Sequence, residues 1–382
     1  MQYSFTTEQN EFRDVLRRFF EQSSPPPVVR RLMETEAGWD PVLWRDLNAQ
    51  LGLCGVHVPE AYGGMGFGFV ELGIVLEEMG RALLCAPFFS SAVLATNAIL
   101  NGADEAQKAS LLPSLVTGET VAALAITEPD GNWDPGAVAT TAQQADGRYR
   151  LSGVKSFVID GHSADLLIVL ARLPDSKGEA GLSLFAVRGD ADGVRRTALQ
   201  TLDPTRKLAR MEFDGAEAEL LGKPGEAAEP IARTLAQAAA MLANEMVGGA
   251  ERLRESALDY ANLRVQLGRP VSSFQAMKHK QADMLVDLEL SRSAAYQAAQ
   301  AVADDQPDFP AVASLAKALA SDVYLQTAIH TIQIHGGIGF TWENDTHLWF
   351  KRAKSSEVLL GDAVWHREAM MRAWVDGGKK GR

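Results

Sequence analysis

The sequence predicts an α+β protein with a helical N-terminal domain (1–120), an antiparallel β-barrel domain (121–225) and a C-terminal four-helix bundle (226–382). Three observations lead to this prediction. Apolar residues recur at helical spacing in the first region, and short strand-like runs separated by Gly-containing turns fill the second. The third region returns to helical spacing over long stretches rich in Ala, Leu, Glu and Gln, which suit an antiparallel bundle.

Helix signals in the first region support its helical prediction. Thr6 and Gln9 have the spacing of a capping box, in which each side chain satisfies a backbone N–H at the helix start. Asp40 followed by Pro41 predicts an N-cap with proline at the first helical position, and Gly52 predicts the end of that helix. These signals place at least two helices before residue 60.

The second and third regions are divided by a change of period. Strand-like runs without intervening helices favour an antiparallel barrel or sandwich. The predicted strands are 149–159, 165–173, 181–188, 194–199 and 208–213, and the predicted long helices are 229–263, 274–303, 310–335 and 359–375.

Composition excludes several classes of function. The chain of 382 residues has 37 Lys and Arg against 49 Asp and Glu, a net charge of −12, which argues against a nucleic-acid or polybasic membrane-surface protein. We expect no signal peptide and no membrane span, because no apolar run is long enough. Cys54 and Cys85 cannot form a disulfide framework, and neither they nor the histidines have metal-ligand spacing. We therefore expect a cytoplasmic protein without a metal.

Two segments of the third region contain residue types that bind phosphates. In residues 264–275 (RVQLGRPVSSFQ), two arginines flank a glycine before a helix start, where guanidinium and backbone N–H groups suit a phosphate. In residues 333–340 (QIHGGIGF), three glycines allow close approach to a ligand, although the spacing is not that of a dinucleotide fingerprint. Taken singly, each segment is equally consistent with an ordinary turn.

Together and in this order, the two segments resemble those of the acyl-CoA dehydrogenase family, and the α–β–α layout does so too. Further signatures of that family occur in order along nearly the whole chain. They are residues 59–64 (PEAYGG), Thr127-Glu128-Pro129, Gly153-Val154-Lys155, Ala164-Asp165 and Phe213-Asp214.

This resemblance implies a tetramer, a dimer of dimers, that binds FAD in a cleft shared between subunits. An acyl-CoA thioester would be the substrate, and an electron-transfer flavoprotein would accept the electrons. A carboxylate removes the α-proton of the thioester, and the flavin accepts the β-hydride. By motif position, the implied FAD contacts are Arg264, Gln266, Leu267 and Gln275 toward a neighbour's FAD, Gln333 and Gly337 at the adenine-diphosphate side, and Thr127, Phe157 and Ile159 near the flavin ring.

The sequence departs from the family at the catalytic base. The usual glutamate position before the last helix holds Leu360, and the alternative position on the first bundle helix holds Ala238. Our candidate base is Glu245, two helical turns beyond Ala238, because a lone carboxylate on an apolar stripe is costly unless it is paired or functional. A structural ion pair, for example with Arg252, is the alternative role for Glu245. Other carboxylates, such as Glu357 or Asp362, or the absence of any base are further alternatives.

The resemblance is closest to the branch of the family that degrades steroids in bacteria. The shared patterns are residues 127–135 (TEPDGNWDP), 155–161 (KSFVIDG) and 243–249 (ANEMVGG). This branch implies a base on the same helix as Glu245 and often forms α2β2 heterotetramers. Small residues beside Glu245 would leave space for a bulky acyl group, so we expect a CoA ester derived from a steroid side chain or ring.

Departures near the flavin keep two other functions open. Trp133 stands where the family commonly has a serine at the pyrophosphate, and Phe157-Val158-Ile159 replaces Trp-Ile-Thr beside the flavin. The chain could therefore be a non-catalytic subunit that completes the FAD site of a sister chain. A flavin oxidase acting on a substrate without CoA is the third option.

Overall fold

The computed structural model describes residues 5–145 and 147–380. The chain divides into two units, which we describe separately. The helical unit comprises residues 1–30, 69–84 and 239–382, and the mixed unit comprises residues 31–68 and 85–238.

Helices begin and end close to the predicted positions. The α-helices of the described residues are α1 (Thr7–Ser23), α2 (Pro26–Met33), α3 (Pro41–Leu51), α4 (Phe69–Ala82), α5 (Thr96–Gly102), α6 (Glu105–Val116), α7 (Ala228–Leu263), α8 (Gln275–Ala303), α9 (Phe309–His335), α10 (Thr346–Val358) and α11 (Ala363–Lys380). A π-helix, Phe89–Ala95, leads directly into α5. No helix in these described ranges is both long and apolar enough to cross a bilayer.

Local signals explain the helix ends in the N-terminal region. The reciprocal capping box of Thr6 and Gln9 is formed at the start of α1. Asp40 caps α3 through the backbone N–H of Val42, and Gly52 ends this helix in the left-handed conformation. Helix α10 lies between two of the predicted bundle helices and was not expected.

The mixed unit holds a seven-stranded sheet. Its strands are β1 (Ala122–Ala125), β2 (Thr141–Ala145), β3 (Arg148–Ile159), β4 (Leu166–Arg172), β5 (Leu182–Arg188), β6 (Val194–Leu199) and β7 (Leu208–Leu221). Their order is β1-β4-β2-β3-β7-β5, β6 pairs with β7, and pairing of β4 with β5 closes the sheet. Alternate residues, including Leu151, Val169, Phe185 and Met211, fill the interior.

The helical N- and C-terminal regions and the middle β-region are confirmed, but the expectation of a purely antiparallel barrel is wrong. Strand β4 runs parallel to β1 along Leu166–Val169 and meets β2 in parallel at Arg172. The reason is topological: β4 lies beside β2 rather than beside the preceding strand β3. A local strand pattern does not encode which neighbour a strand takes. The three domain boundaries stay predictions.

Glycines bring the helices of the helical unit into close contact around α7. A Cβ on Gly80 of α4 would collide with the carbonyl oxygen of Glu245, and one on Gly248 of α7 would collide with that of Glu77. A Cβ on Gly249 would collide with the Tyr324 ring of α9. The glycines therefore fix the depth at which α7 packs against α4 and α9.

Candidate functional site

Glu245, the candidate base, forms a buried ion pair. Its Oε1 accepts a hydrogen bond from Nη1 of Arg352 on α10 at 3.0 Å. The two residues are only 5% and 4% exposed. The cation in the pair is thus Arg352 rather than Arg252. An ion pair of this kind offsets part of the cost of burying both charges. The catalytic role of Glu245 stays a prediction.

The two glycines beside Glu245 do not supply the expected space for an acyl group. The volume beside Gly248 is filled by the backbone of α4, and the volume beside Gly249 is filled by Tyr324. Ala238 is itself fully buried. Small side chains suit close helix packing as well as a ligand cavity, and at Gly248 and Gly249 they serve packing.

The loop that follows α10 holds Leu360 in a strained conformation. Leu360 is buried and has φ = 63°, a region that disfavours bulky side chains. The fully buried Lys317 of α9 anchors this loop, because its Nζ donates hydrogen bonds to the carbonyl oxygens of Glu357 (3.2 Å) and Gly361 (3.1 Å). A third bond joins Lys317 to Ser321 Oγ at 2.9 Å.

The two other candidate carboxylates already have structural partners. Glu357 pairs with Lys354 one turn earlier at 2.5 Å. Asp362 caps α11 by accepting a hydrogen bond from the backbone N–H of Trp365 at 2.8 Å. Neither arrangement gives the carboxylate the apolar surroundings that would favour a general base. Within the described ranges, no group of three His, Cys, Asp or Glu side chains could hold a metal ion.

The segment 264–275 forms an exposed hairpin. Strand β8 (Val265–Gln266) pairs with strand β9 (Arg269–Pro270), and Leu267 and Gly268 form the turn, both with positive φ. Leu267 is 89% exposed, and the side chains of Arg264 and Gln266 are exposed too. Gln275 is the first residue of α8. This end of the helical unit therefore presents all four predicted contacts to an outside ligand.

The segment 333–340 lies at the end of α9 and also faces outward. Gln333 is exposed, and its Oε1 accepts a hydrogen bond from Lys280 Nζ at 2.9 Å. A Cβ on Gly336 or Gly337 would have no heavy-atom neighbour within 4 Å. Gly336 has φ = 65°, which glycine adopts without strain. The open backbone and the amide side chain fit the phosphate and ribose groups of a dinucleotide such as FAD.

In the mixed unit, the segment Thr127–Pro129 is fixed to the end of β3. Lys155 is fully buried, and its Nζ donates to the Ile126 carbonyl at 2.9 Å and to Glu128 Oε1 at 3.0 Å. Burial lowers the pKa of Lys155 to about 8, although the Glu128 carboxylate acts in the opposite direction. Thr127 Oγ1 donates to the Ser156 carbonyl at 2.5 Å. The three residues predicted near the flavin ring thus lie on two connected segments.

These segments offer few polar groups to a flavin. The Thr127 hydroxyl donates its proton to Ser156, and Ile159 is a buried hydrocarbon side chain. Phe157 is 41% exposed with φ = 60°, beside the register shift between Lys155 and Val158. A strained aromatic residue at this place is typical of a ligand-contacting position. The fit to FAD is therefore better in the helical unit than in the mixed unit.

Sequence reasoning missed three buried cations that shape these segments: Lys155, Lys317 and Arg352. Lys155 belongs to one of the motifs that carry the family resemblance, so its position was visible in the sequence but its contacts were not. Lys317 and Arg352 lie in otherwise ordinary helical sequence. Only the distant partners, Gly361 for Lys317 and Glu245 for Arg352, reveal what these cations do.

Comparison with known proteins identifies the class. The N-terminal, middle and C-terminal domains of acyl-CoA dehydrogenase match residues 6–119, 123–216 and 229–374 in turn. The chain belongs to the acyl-CoA dehydrogenase family. Members of this family are FAD-dependent flavoproteins of β-oxidation, and the chain is accordingly an oxidoreductase acting on CH–CH bonds.

Individual relatives and solved structures agree with this family assignment. The chain is 33% identical over 353 residues to the acyl-CoA dehydrogenase IpdE2 of Mycobacterium tuberculosis, covering 92% of this chain and 93% of that protein. Butyryl-CoA dehydrogenase from Megasphaera elsdenii superimposes with a TM-score of 0.91 at 28% identity, covering 98% and 100% of the two chains. The steroid ACAD Tcur3481-Tcur3483, in a variant form, superimposes with a TM-score of 0.88 at 30% identity, covering 97% and 99%.

Proposed function

We propose that this chain takes part in the FAD-dependent α,β-dehydrogenation of a bulky acyl-CoA thioester, derived from a steroid side chain or ring, in a catabolic β-oxidation pathway. The exposed hairpin at Arg264–Pro270 and the open glycines of residues 336–337, both in the helical unit, are the observations that carry this proposal. The substrate class is supported by the similarity to IpdE2 and to a steroid ACAD.

The residues of the helical unit would hold the adenine-diphosphate part of FAD. Arg264 offers a guanidinium that can bind a phosphate through two hydrogen bonds, and Gln275 and Gln333 offer amides. Gly337 allows the backbone to approach closely. Gln266 and Leu267 extend the hairpin, and we propose that they contact FAD bound mainly to a neighbouring subunit. Bound FAD supplies the hydride acceptor.

The residues of the mixed unit would lie near the flavin ring. We propose that Thr127, Phe157 and Ile159 supply mostly van der Waals contact there, because the Thr127 proton is engaged and Ile159 has no polar group. Lys155 keeps the two segments together. This chain would accordingly bind FAD less firmly at the ring than at the diphosphate.

The source of the base has two candidates. In the first, Glu245 of this chain takes the α-proton of the thioester, for which its carboxylate must come within hydrogen-bond reach of that proton. To do so it has to leave Arg352, and a buried arginine without its partner costs about 3–5 kcal/mol. This cost opposes the first candidate.

In the second candidate, a sister chain supplies the base, and this chain completes the FAD site of a heterotetramer. Three observations favour it: Glu245 is paired, Leu360 occupies the usual base position, and the mixed unit offers few polar groups to the flavin. An electron-transfer flavoprotein would then reoxidise the assembly. Fast reoxidation by oxygen without such a partner would instead favour an oxidase.

Flavin stoichiometry tests this arrangement. We expect the chain purified alone to lack flavin absorbance, and to gain FAD when it is co-purified with a sister subunit encoded beside it. Anaerobic addition of a steroid side-chain acyl-CoA should then bleach the flavin faster than butyryl-CoA does. If this chain alone gives a yellow protein that acyl-CoA bleaches, the base belongs to this chain, and Glu245 is the candidate. Flavin that neither acyl-CoA reduces would contradict the proposed activity.

A further inference from the structure

Two adjoining cavities in the helical unit are not used by the proposed function. The larger has a volume of about 260 Å³ and the smaller about 140 Å³. Arg252, Trp349 and Pro26 line both cavities, so the two adjoin at these residues.

Among the arginines that line the two cavities, Arg252 is the one available to bind a ligand. No hydrogen bond or ion pair joins Arg252 to any residue in the described ranges. The other two arginines of the larger cavity are engaged: Arg17 donates to Glu78 at 2.8 Å, and Arg81 donates to Glu255 at 2.5 Å. A guanidinium has five N–H donors, and one that lines a cavity without an acceptor favours an anionic ligand.

The smaller cavity adds two neutral donors beside Arg252. Asn344 accepts hydrogen bonds at Oδ1 from the N–H (2.9 Å) and hydroxyl (2.7 Å) of Thr346, an arrangement that leaves its NH₂ group as a donor. The Ser256 hydroxyl has no hydrogen-bond partner among the described residues. Asp345 also lines this cavity, but Arg30 neutralises it at 2.8 Å. This donor set suits a carboxylate.

The larger cavity combines apolar and charged side chains, with three arginines and two carboxylates in its lining. Pro25, Pro26 and Ala82, which are partly exposed, supply hydrocarbon surface. Of its two carboxylates, Glu78 is held by arginines, and Glu21 is exposed. A flat or short apolar group would be buried here at a gain in free energy that follows its area.

We infer that the two cavities form a binding site for a small organic anion that joins a carboxylate to a compact apolar group. The carboxylate lies in the smaller cavity against Arg252, Ser256 and Asn344. The apolar group lies in the larger cavity against Pro25, Pro26 and Ala82. The site is built from α1, α4, α7, α10, the turn between α1 and α2, and the residues just before α10.

Phenylacetate is a suitable probe, and its neutral amide is a matched ligand control. In calorimetric titration of the assembled flavoprotein, we expect phenylacetate to bind with a dissociation constant of about 1 mM or lower. Phenylacetamide should bind at least about tenfold more weakly, because it lacks the charge that Arg252 recognises. Arg252→Gln should weaken phenylacetate by a similar factor. Arg254→Gln removes the same charge from the same helix outside both cavities and should leave binding unchanged.

Further variants keep the inference testable if Arg252→Gln fails to fold. Ser256→Asp places a carboxylate in the smaller cavity and should also weaken phenylacetate at least about tenfold through repulsion and competition for Arg252. Binding should persist in the presence of saturating acyl-CoA. Equal affinity for phenylacetate and phenylacetamide, an unchanged affinity in Ser256→Asp, or loss of binding in acyl-CoA would each overturn the inference.

Discussion

At the scale of single residues, the pairing of Glu245 with Arg352 changes how the sequence is interpreted. A carboxylate among alanines and glycines predicts either a functional acid or a paired one, and the local sequence does not distinguish them. The partner, Arg352, is 107 positions away on a helix that was not predicted. Such a partner cannot be read from helical spacing, which reveals neighbours only within the same helix.

A pair of substitutions separates a catalytic Glu245 from a structural one. Glu245→Gln removes the carboxylate of the ion pair. Arg352→Gln removes the guanidinium of the same pair and keeps the carboxylate. We expect both variants of the assembled flavoprotein to lose thermal stability to a similar extent and to retain similar rates of flavin reduction per folded protein. The measurements are the thermal midpoint and anaerobic stopped-flow reduction by acyl-CoA.

The opposite kinetic result has a clear meaning. If Glu245→Gln lowers the rate of reduction by about a hundredfold or more while Arg352→Gln reduces the flavin normally, Glu245 is the base. The size of that loss is the contribution typical of a general base.

Residue types predicted the exposed, glycine-containing segments better than they predicted the buried cations. Arg264 and Gln333 are exposed at the ends of α7 and α9, where helix-breaking glycines had already marked a change of structure. Lys155 and Lys317 escaped prediction, because a lysine in sequence is normally a solvated surface residue. Their burial depends on carbonyl oxygens that the fold brings to them.

At the scale of elements, the close packing of α4 and α7 depends on glycines in both helices. A Cβ on Gly248 would collide with the Glu77 carbonyl, whereas a Cβ on Gly73 would lie 3.2 Å from the side chain of Asn244. The first obstacle is a collision with the backbone of the neighbouring helix. The second is a tight contact with the Asn244 amide, which hydrogen bonds to the Ala240 and Ala295 carbonyls hold in place but which has to move by only a few tenths of an ångström. The two positions therefore respond differently to the same added methyl group.

We expect Gly248→Ala to lower the free energy of unfolding by about 1–3 kcal/mol or more. The clash outweighs the gain of up to about 1 kcal/mol from replacing glycine within a helix. Gly73→Ala is the matched control, and its helical gain should nearly offset the tighter contact. Urea unfolding followed by circular dichroism measures both. Equal stability of the two variants would show that α4 and α7 can separate without cost.

Element boundaries followed from local signals, whereas neighbour relations did not. The caps at Thr6 and Asp40 set helix starts that the structure confirms. Helix α10 was missed because its buried face includes Arg352 and Ser356, which interrupt the apolar pattern that marks a helix. The parallel contacts of β4 were missed because strand pairing is decided by tertiary topology.

At the scale of the whole molecule, each unit contains a buried histidine that resists protonation. Burial lowers the pKa of His57 in the mixed unit to about 4, against the opposing effect of its hydrogen bond with Asn97. Burial lowers the pKa of His366 in the helical unit to about 3, and the charge of Lys317 adds to this effect. Unfolding frees both side chains to take up a proton near pH 6.5.

Stability should therefore fall as the pH drops from about 6.5 toward 4. In that window the unfolded chain binds more protons than the folded one, so the free energy of unfolding rises with pH by up to about 1.4 kcal/mol per pH unit for each histidine. Urea unfolding at pH 7, 6 and 5 measures this slope. His57→Gln and His366→Gln should each flatten it, and His279→Gln, an exposed control, should not. Parallel curves for all three variants would rule out these histidines as the cause.

The hairpin formed by β8 and β9 has a practical consequence for handling the protein. Three apolar side chains in or next to this hairpin are exposed to water: Leu263 (82% exposed), Val265 (54%) and Leu267 (89%). A chain whose hairpin is left uncovered would tend to self-associate through these side chains, so in the proposed heteromeric assembly balanced synthesis of the two subunits would govern solubility as well as turnover.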